Sequence, residues 1–126
     1  MLHGLTPLGW AQLLYVAVAF ATNIYGMILL KRRGHAYGPT KPWVGLGFIA
    51  AVGTVLALQK FVGPTIYILL SLPITYIMAR YGIETHLRRL KAGGLAAYDP
   101  KAMGVISVGT NIVGVALWSL SILLAR

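Results

Sequence analysis

Residues 103-125, MGVISVGTNIVGVALWSLSILLA, form an apolar stretch without a charged side chain. A helix of about 20 such residues crosses the hydrocarbon core of a bilayer, which is about 30 Å thick. Three more uncharged apolar stretches precede it, at residues 8-30, 43-59 and 61-79. The fold class that this pattern predicts is all-α, a single transmembrane domain built as a bundle of four transmembrane helices. We place these helices at about 8-30, 43-59, 64-91 and 101-125.

Composition supports a membrane location and removes several kinds of chemistry. The chain of 126 residues is 58% hydrophobic and 10% charged, against about 25% charged in an average soluble domain. It has no cysteine, which excludes disulfides, thiolate metal sites and iron-sulfur clusters. No Asp, Glu, Lys, Arg or His lies near the centre of an apolar stretch, where proton-coupled transport generally needs a titratable group. We therefore predict no catalytic residue and no metal site.

The basic residues set the predicted orientation. Lys and Arg number 11 against 2 acidic residues, and most of them lie within residues 31-42 and 80-102. The positive-inside rule assigns these two segments to the cytoplasm and both chain ends to the outside. We predict a multi-pass protein of a prokaryotic inner membrane, whose net charge of +9 attracts anionic lipids and not nucleic acid. Candidate residues for the membrane interface and lipid head groups are Arg32, Arg33, Trp43, Arg80, His86, Arg88 and Arg89.

The third predicted helix has an internal proline and a charged extension. Pro73 should kink this helix, because proline lacks the N–H that a helical hydrogen bond needs. Beyond Arg80 the helix should leave the membrane and continue into the cytoplasm to residue 91. On this extension Glu84 lies four residues from both Arg80 and Arg88, so we predict a solvent-exposed ladder of salt bridges.

Small and polar residues recur at helical spacing within the apolar stretches. Small side chains let helix backbones approach closely, and a buried Asn can hydrogen-bond across the contact. Asn23 and Asn111 are the most polar groups deep in the predicted bilayer. We predict that these stripes face protein rather than lipid. The candidate residues for helix packing and partner binding are Asn23, Gly26, Gly47, Ala51, Gly104, Ser107, Asn111 and Gly114.

These stripes favour a non-catalytic role. We predict a small accessory or structural subunit that docks against larger membrane-protein subunits, in an energy-transducing complex of the respiratory, photosynthetic or oxidase type. Four helices cannot easily bury several small-residue faces among themselves, so some of these faces should contact another protein. No cofactor is predicted, although a bound lipid or quinone is compatible with the sequence.

Two alternative functions remain open. The first is a homo-oligomeric channel or transporter, in which Asn23 and Asn111 of two or more copies line a pore. The second is a quinone- or lipid-handling enzyme that uses His35, Glu84 and His86, which all belong to the predicted cytoplasmic side.

Overall fold

The computed structural model describes residues 5-38 and 41-125, and within these ranges the chain is helical with no β-strand. The helices are α1 (Pro7–Arg33), α2 (Pro42–Leu58), α3 (Pro64–Ile77), a π-helical segment (Met78–Glu84), α4 (Thr85–Gly93), a 3-10 turn (Gly94–Ala97) and α5 (Ala102–Leu124). Because Pro64–Ala97 is one continuous helical stretch, the described residues contain four helical stretches. The prediction of an all-helical bundle is confirmed.

Three of the four stretches are long and apolar enough to cross a membrane, namely Pro7–Arg33, Pro64–Ala97 and Ala102–Leu124. The fourth, α2, is apolar but has only 17 residues. A membrane protein is therefore indicated, while the fourth crossing and the membrane orientation stay predictions. The two chain ends, predicted to lie outside, fall on residues 1-4 and 126, which are not among the described residues.

The helix ends follow from local sequence. Thr6 caps α1, since its Oγ1 accepts a hydrogen bond from the Gly9 amide at 3.1 Å. Prolines occupy the first turns of α1, α2 and α3, where a missing N–H costs no helical hydrogen bond. Gly34 ends α1 in the left-handed conformation, with φ of 79°. As a result α1 runs to Arg33, beyond the predicted end at residue 30, and carries three basic residues in its last turn.

The geometry of the third stretch changes after Pro73 rather than at it. The α-helix continues through Pro73 as far as Ile77, and the π-helical segment begins at Met78. Thr75 Oγ1 donates to the Ser71 carbonyl at 2.9 Å in the turn around the proline. The kink predicted at Pro73 stays a prediction. A π-helix of seven residues is longer than the usual single-turn bulge, and such bulges frequently lie at functional sites.

Helix contacts define the arrangement of the bundle. α1 packs against α2 and α5, and α5 also packs against α3 and the π-helical segment. Tyr15 of α1 and Trp118 of α5 meet edge to face in the core, with ring centroids 5.3 Å apart. α2 contacts α3 but not the π-helical segment. The second and third stretches therefore meet near the loop that joins them and separate towards their other ends.

The ends away from that loop form what we call the basic end, made of the last turn of α1, residues 34-38, α4 and residues 94-101. The Asp99 amide donates to the Tyr37 carbonyl at 3.2 Å, and Arg33 pairs with the Asp99 carboxylate at 3.1 Å. These two contacts tie the segment after α1 to the segment before α5.

The predicted salt-bridge ladder is also present, where the π-helical segment continues into α4 of the basic end. Glu84 lies 2.7 Å from Arg80 and 2.5 Å from Arg88, with all three side chains partly exposed. Exposed pairs of this kind contribute little to stability. Their effect is to neutralise part of the positive charge.

Candidate functional site: a polar cleft between the helices

A cleft of about 140 Å³ lies between the helices, towards the basic end. All four helical stretches and Tyr37 contribute to its wall. Its lining is mainly apolar, with Ala19, Phe48, Ile49, Ile77 and Met78 among the contributors. The polar side chains in its wall are Thr22, Asn23, Tyr37, Tyr81, His86, Ser107, Thr110 and Asn111.

The two predicted intramembrane asparagines both lie in this cleft. Each side-chain amide donates to a carbonyl of its own helix four residues earlier: Asn23 Nδ2 to Ala19 O at 2.8 Å, and Asn111 Nδ2 to Ser107 O at 2.7 Å. An amide NH₂ has two donors and its oxygen has two acceptor positions. Within the described part of the chain, neither Oδ1 accepts a hydrogen bond. Each asparagine therefore retains one N–H donor, while its Oδ1 is the atom that lies closest to a glycine of the neighbouring helix.

A glycine of a neighbouring helix lies directly against each asparagine. The Asn23 amide covers Gly45 of α2, and the Asn111 amide covers Gly82 of the π-helical segment. A Cβ at either glycine would overlap the amide. These two glycines therefore fix the position of the asparagine side chains. Neither was among the predicted site residues, because a sequence does not tell which glycine opposes which side chain.

A buried hydroxyl also lines the cleft. Ser107 is 7% exposed, and its Oγ lies near the Tyr37 hydroxyl but has no hydrogen bond of good geometry in the described structure. Leaving a buried hydroxyl unpaired costs about 1–3 kcal/mol. Ser107 was predicted as a packing residue, and its place in the cleft wall makes it a candidate for ligand contact.

Aromatic side chains close the cleft at two sides. Tyr15 lines it from α1 and carries Trp118 on its other side. Tyr37 lines it at the basic end and stacks on Tyr25, with centroids 6.2 Å apart. Burial raises the pKa of Tyr37 above its usual value, so its hydroxyl is neutral at physiological pH. Neither Tyr15 nor Tyr37 was among the predicted site residues.

His86 is buried rather than placed at a lipid interface as predicted. Its side chain is 5% exposed, and its Nδ1 lies 2.6 Å from the hydroxyl of Tyr98. Tyr98 is itself buried because it packs against the backbones of Gly38 and Gly104, where an added Cβ would lie 2.8 Å from its ring. His86 is thus held at the edge of the cleft by a protein contact.

The cleft has an opening on the side of the bundle. Val44 of α2 and Tyr81 of the π-helical segment both line the cleft, yet they are 56% and 61% exposed. They lie on two elements whose Cα atoms do not come within 8 Å of each other. The gap between these elements opens the cleft on the side of the bundle, beside Trp43 and Arg80, the residues predicted at the membrane interface.

The remaining predicted packing residues divide into two groups. Three of the predicted glycines have neighbours within the chain. Gly26 of α1 lies against Tyr37 and Pro42. On α5, Gly104 lies against Tyr98 and Leu95, and Gly114 lies against Tyr15 and Met78. In contrast, Gly47 has no neighbour within 4 Å, and Ala51 is exposed. Only the stripe on α2 is left open among these.

The predicted interfacial residues other than His86 lie on the surface. Arg32, Arg33, Trp43, Arg88 and Arg89 are exposed, and Arg80 is half-buried.

The trio of His35, Glu84 and His86 does not assemble. His35 is exposed and contacts only the neighbouring Ala36 carbonyl among the hydrogen bonds described. Glu84 is engaged by two arginines, and neither residue lines the cleft.

No group of three or more metal-ligating side chains is present in residues 5-38 and 41-125. Comparison of the chain with protein-family models, with curated proteins and with solved structures gave no match. The cleft is therefore the feature of the molecule that points to a function.

Proposed function

We propose that this protein is a membrane-embedded binding protein that holds one small uncharged molecule in the cleft. The observation that carries the proposal is a set of hydroxyl and amide groups around one cavity. The buried Ser107 Oγ lies near the Tyr37 hydroxyl but has no hydrogen bond of good geometry, and the amides of Asn23 and Asn111 line the same space. A ligand that bonds to Ser107 offsets part of the desolvation cost of a buried hydroxyl, which is about 1–3 kcal/mol.

The size and charge of the cleft limit its ligand. An apolar cavity of about 150 Å³ accommodates benzene, so a cleft of about 140 Å³ holds one six-membered ring. No Asp, Glu, Lys or Arg lies among the lining residues that are described. A buried unpaired charge costs several kcal/mol, which favours a neutral ring over an anion or a cation.

The proposed orientation follows from charge. Glu84 and Asp99 neutralise Arg80, Arg88 and Arg33 in part, and the other basic residues of the basic end are free to meet anionic lipid head groups. By the positive-inside rule this end lies in the cytoplasm of a prokaryotic cell, and four crossings place both chain ends outside.

Thermal unfolding in detergent tests the binding function. A panel of neutral six-membered-ring compounds should contain members that stabilise the protein, by about 2.7 kcal/mol at 100 times their Kd. Ser107→Leu fills the cleft and should abolish the stabilisation. Ser119→Leu is the matched control, because Ser119 is on the same helix and does not line the cleft. Absence of stabilisation across the panel, or equal stabilisation of Ser107→Leu, would contradict the proposal.

A second candidate function is docking to larger membrane-protein subunits, and one observation favours it. Gly47, Ala50, Ala51 and Thr54 form a face of α2 that is exposed, whereas most of the other predicted stripes are used within the chain. Gly47→Leu should reduce co-purification of a partner subunit in mild detergent. Gly109→Leu is the control, since Gly109 also has no neighbour within 4 Å but lies on α5. Recovery of this chain alone from native membranes would contradict the docking role.

The homo-oligomeric pore stays a prediction. Asn23 and Asn111 share one cleft within a single chain, so a binding role for them needs no second copy.

A further inference from the structure

We propose that the ring held in the cleft is the head group of a quinone, an inference that rests on the binding function proposed above. The polar groups of the cleft are distributed over two walls. Asn23 lies on the wall formed by α1 and α2, where it covers Gly45, and Asn111 lies on the wall formed by α5 and the π-helical segment, where it covers Gly82. A 1,4-quinone carries its two oxygens on opposite edges of the ring, so each wall can serve one oxygen.

The hydrogen-bonding groups of Asn23, Asn111 and Ser107 match the oxygens of a quinone. A quinone oxygen only accepts hydrogen bonds, and the corresponding quinol hydroxyl also donates. The spare N–H groups of Asn23 and Asn111 and the Ser107 hydroxyl can donate to a quinone, and the Ser107 oxygen can also accept from a quinol. A neutral hydroxyl therefore suits both redox forms, which a carboxylate or an ammonium group does not.

Apolar side chains surround the space for the ring. Phe48 and Ile49 of α2 and Met78 of the π-helical segment line the cleft. Aromatic, aliphatic and thioether side chains all pack well against the face or edge of a flat ring. The cleft thus combines apolar contacts with polar groups in its walls, as ligand sites for small rings generally do.

The cleft has a lateral opening between Val44 and Tyr81. Membrane quinones have a long apolar tail attached to the ring. A cleft that opens only at an aqueous end would force this tail into water, whereas an opening on the side of the bundle lets it lie in lipid. The opening at Val44 and Tyr81 is on the side of the bundle, next to the predicted interfacial residues Trp43 and Arg80, so a tail that leaves there can pass below the head groups into lipid.

Fluorescence of a single tryptophan tests this inference. Trp10 and Trp43 are exposed, whereas Trp118 is buried and contacts Tyr15 of the cleft wall. The variant Trp10→Phe/Trp43→Phe leaves Trp118 as the reporter, in the full chain reconstituted in detergent. The probe is 2-decyl-1,4-benzoquinone, since quinones quench a nearby indole strongly. The competitor is 4-decylphenol, which has a tail of the same length, attached opposite its single oxygen.

We expect saturable quenching of Trp118 by the quinone probe and no saturable quenching after Ser107→Leu. Ser107→Ala removes only the hydroxyl and should weaken binding about fivefold, the effect of one hydrogen bond. Ser119→Ala should leave the affinity unchanged. The phenol has one fewer oxygen to bond. Its dissociation constant, measured by competition, should therefore be about tenfold higher than that of the quinone probe.

Two results would overturn the inference while leaving the binding function intact. One is competition by 4-decylphenol at the same concentration as the quinone, with Ser107→Ala binding as tightly as the parent. The other is stabilisation of the protein by other neutral rings in thermal unfolding without saturable quenching by the quinone. If no ring compound binds in either assay, the proposed function and the quinone inference both fail.

Discussion

The two halves of the bundle use similar polar residues in opposite ways. In the half away from the basic end, Tyr67 of α3 lies within hydrogen-bond distance of Gln12 on α1, at 3.4 Å, and of Ser121 on α5, at 2.7 Å. All three side chains are buried, so the polar groups of three helices satisfy one another. In the basic half, Asn23 and Asn111 bond to their own helices and face a cleft. Gln12, Tyr67 and Ser121 therefore clamp the helices where they meet, whereas Asn23 and Asn111 are available to a ligand where the helices separate.

The comparison predicts different costs for substitutions in the two halves, and the largest should come from the seat of an asparagine. Gly82→Leu places a side chain where the Asn111 amide lies, so the π-helical segment and α5 must move apart. Overpacking of this kind costs about 3 kcal/mol, measured as the free energy of unfolding in detergent. Gly109→Leu, on an open surface of α5, should change stability by less than about 0.5 kcal/mol. Equal costs for both variants would mean that Asn111 is not held by Gly82.

A smaller effect is expected from the clamp. Tyr67→Phe keeps the ring and removes the hydroxyl shared by Gln12 and Ser121. Hydrogen bonds between membrane helices contribute about 0.6 kcal/mol each on average, so the loss of two should cost about 1–2 kcal/mol of unfolding free energy. Tyr76→Phe, an exposed tyrosine of the same helix, is the control. If both tyrosine variants unfold alike, the hydroxyl network does not hold the three helices together.

The smallest effect should come from the cleft hydroxyl. Ser107→Ala removes a hydroxyl without a hydrogen bond of good geometry, so the unfolding free energy without ligand should change by less than about 0.5 kcal/mol or rise slightly. Ser121→Ala is the matching change in the other half and should cost about 1 kcal/mol, because Ser121 bonds to Tyr67 and to the Trp118 carbonyl. A reversed order of these two serines would break the distinction between the halves.

The overall fold could be predicted from the sequence because it depends on hydrophobic length and helix punctuation. Uncharged runs such as 103-125 indicate helices directly, and proline and glycine mark their ends to within a few residues. The π-helical segment could not be predicted in this way. Its residues, Met78–Glu84, carry no signal that separates them from an ordinary α-helix, and the local geometry depends on contacts with α5.

The candidate site was predicted in part. Asn23 and Asn111 could be selected from the sequence because an amide is rare in an apolar helix, and both line the cleft. Gly45 and Gly82 could not be selected, because glycine is common in such helices. The register between helices decides which glycine lies against an asparagine. The burial of His86 also depends on register, since Tyr98 reaches it from a separate segment of the chain.

The lateral opening at Val44 and Tyr81 has a consequence for how occupancy is set. In a bilayer, an occupant that enters from the side exchanges with the surrounding lipid and not with the aqueous phase. The relevant concentration is then its mole fraction among the lipids, in which a hydrophobic compound is strongly enriched by partitioning. A weak intrinsic affinity is sufficient under these conditions, so a cleft with few hydrogen bonds can remain filled. Diluting the bilayer with inert lipid, at constant protein and ligand per volume, should therefore empty it.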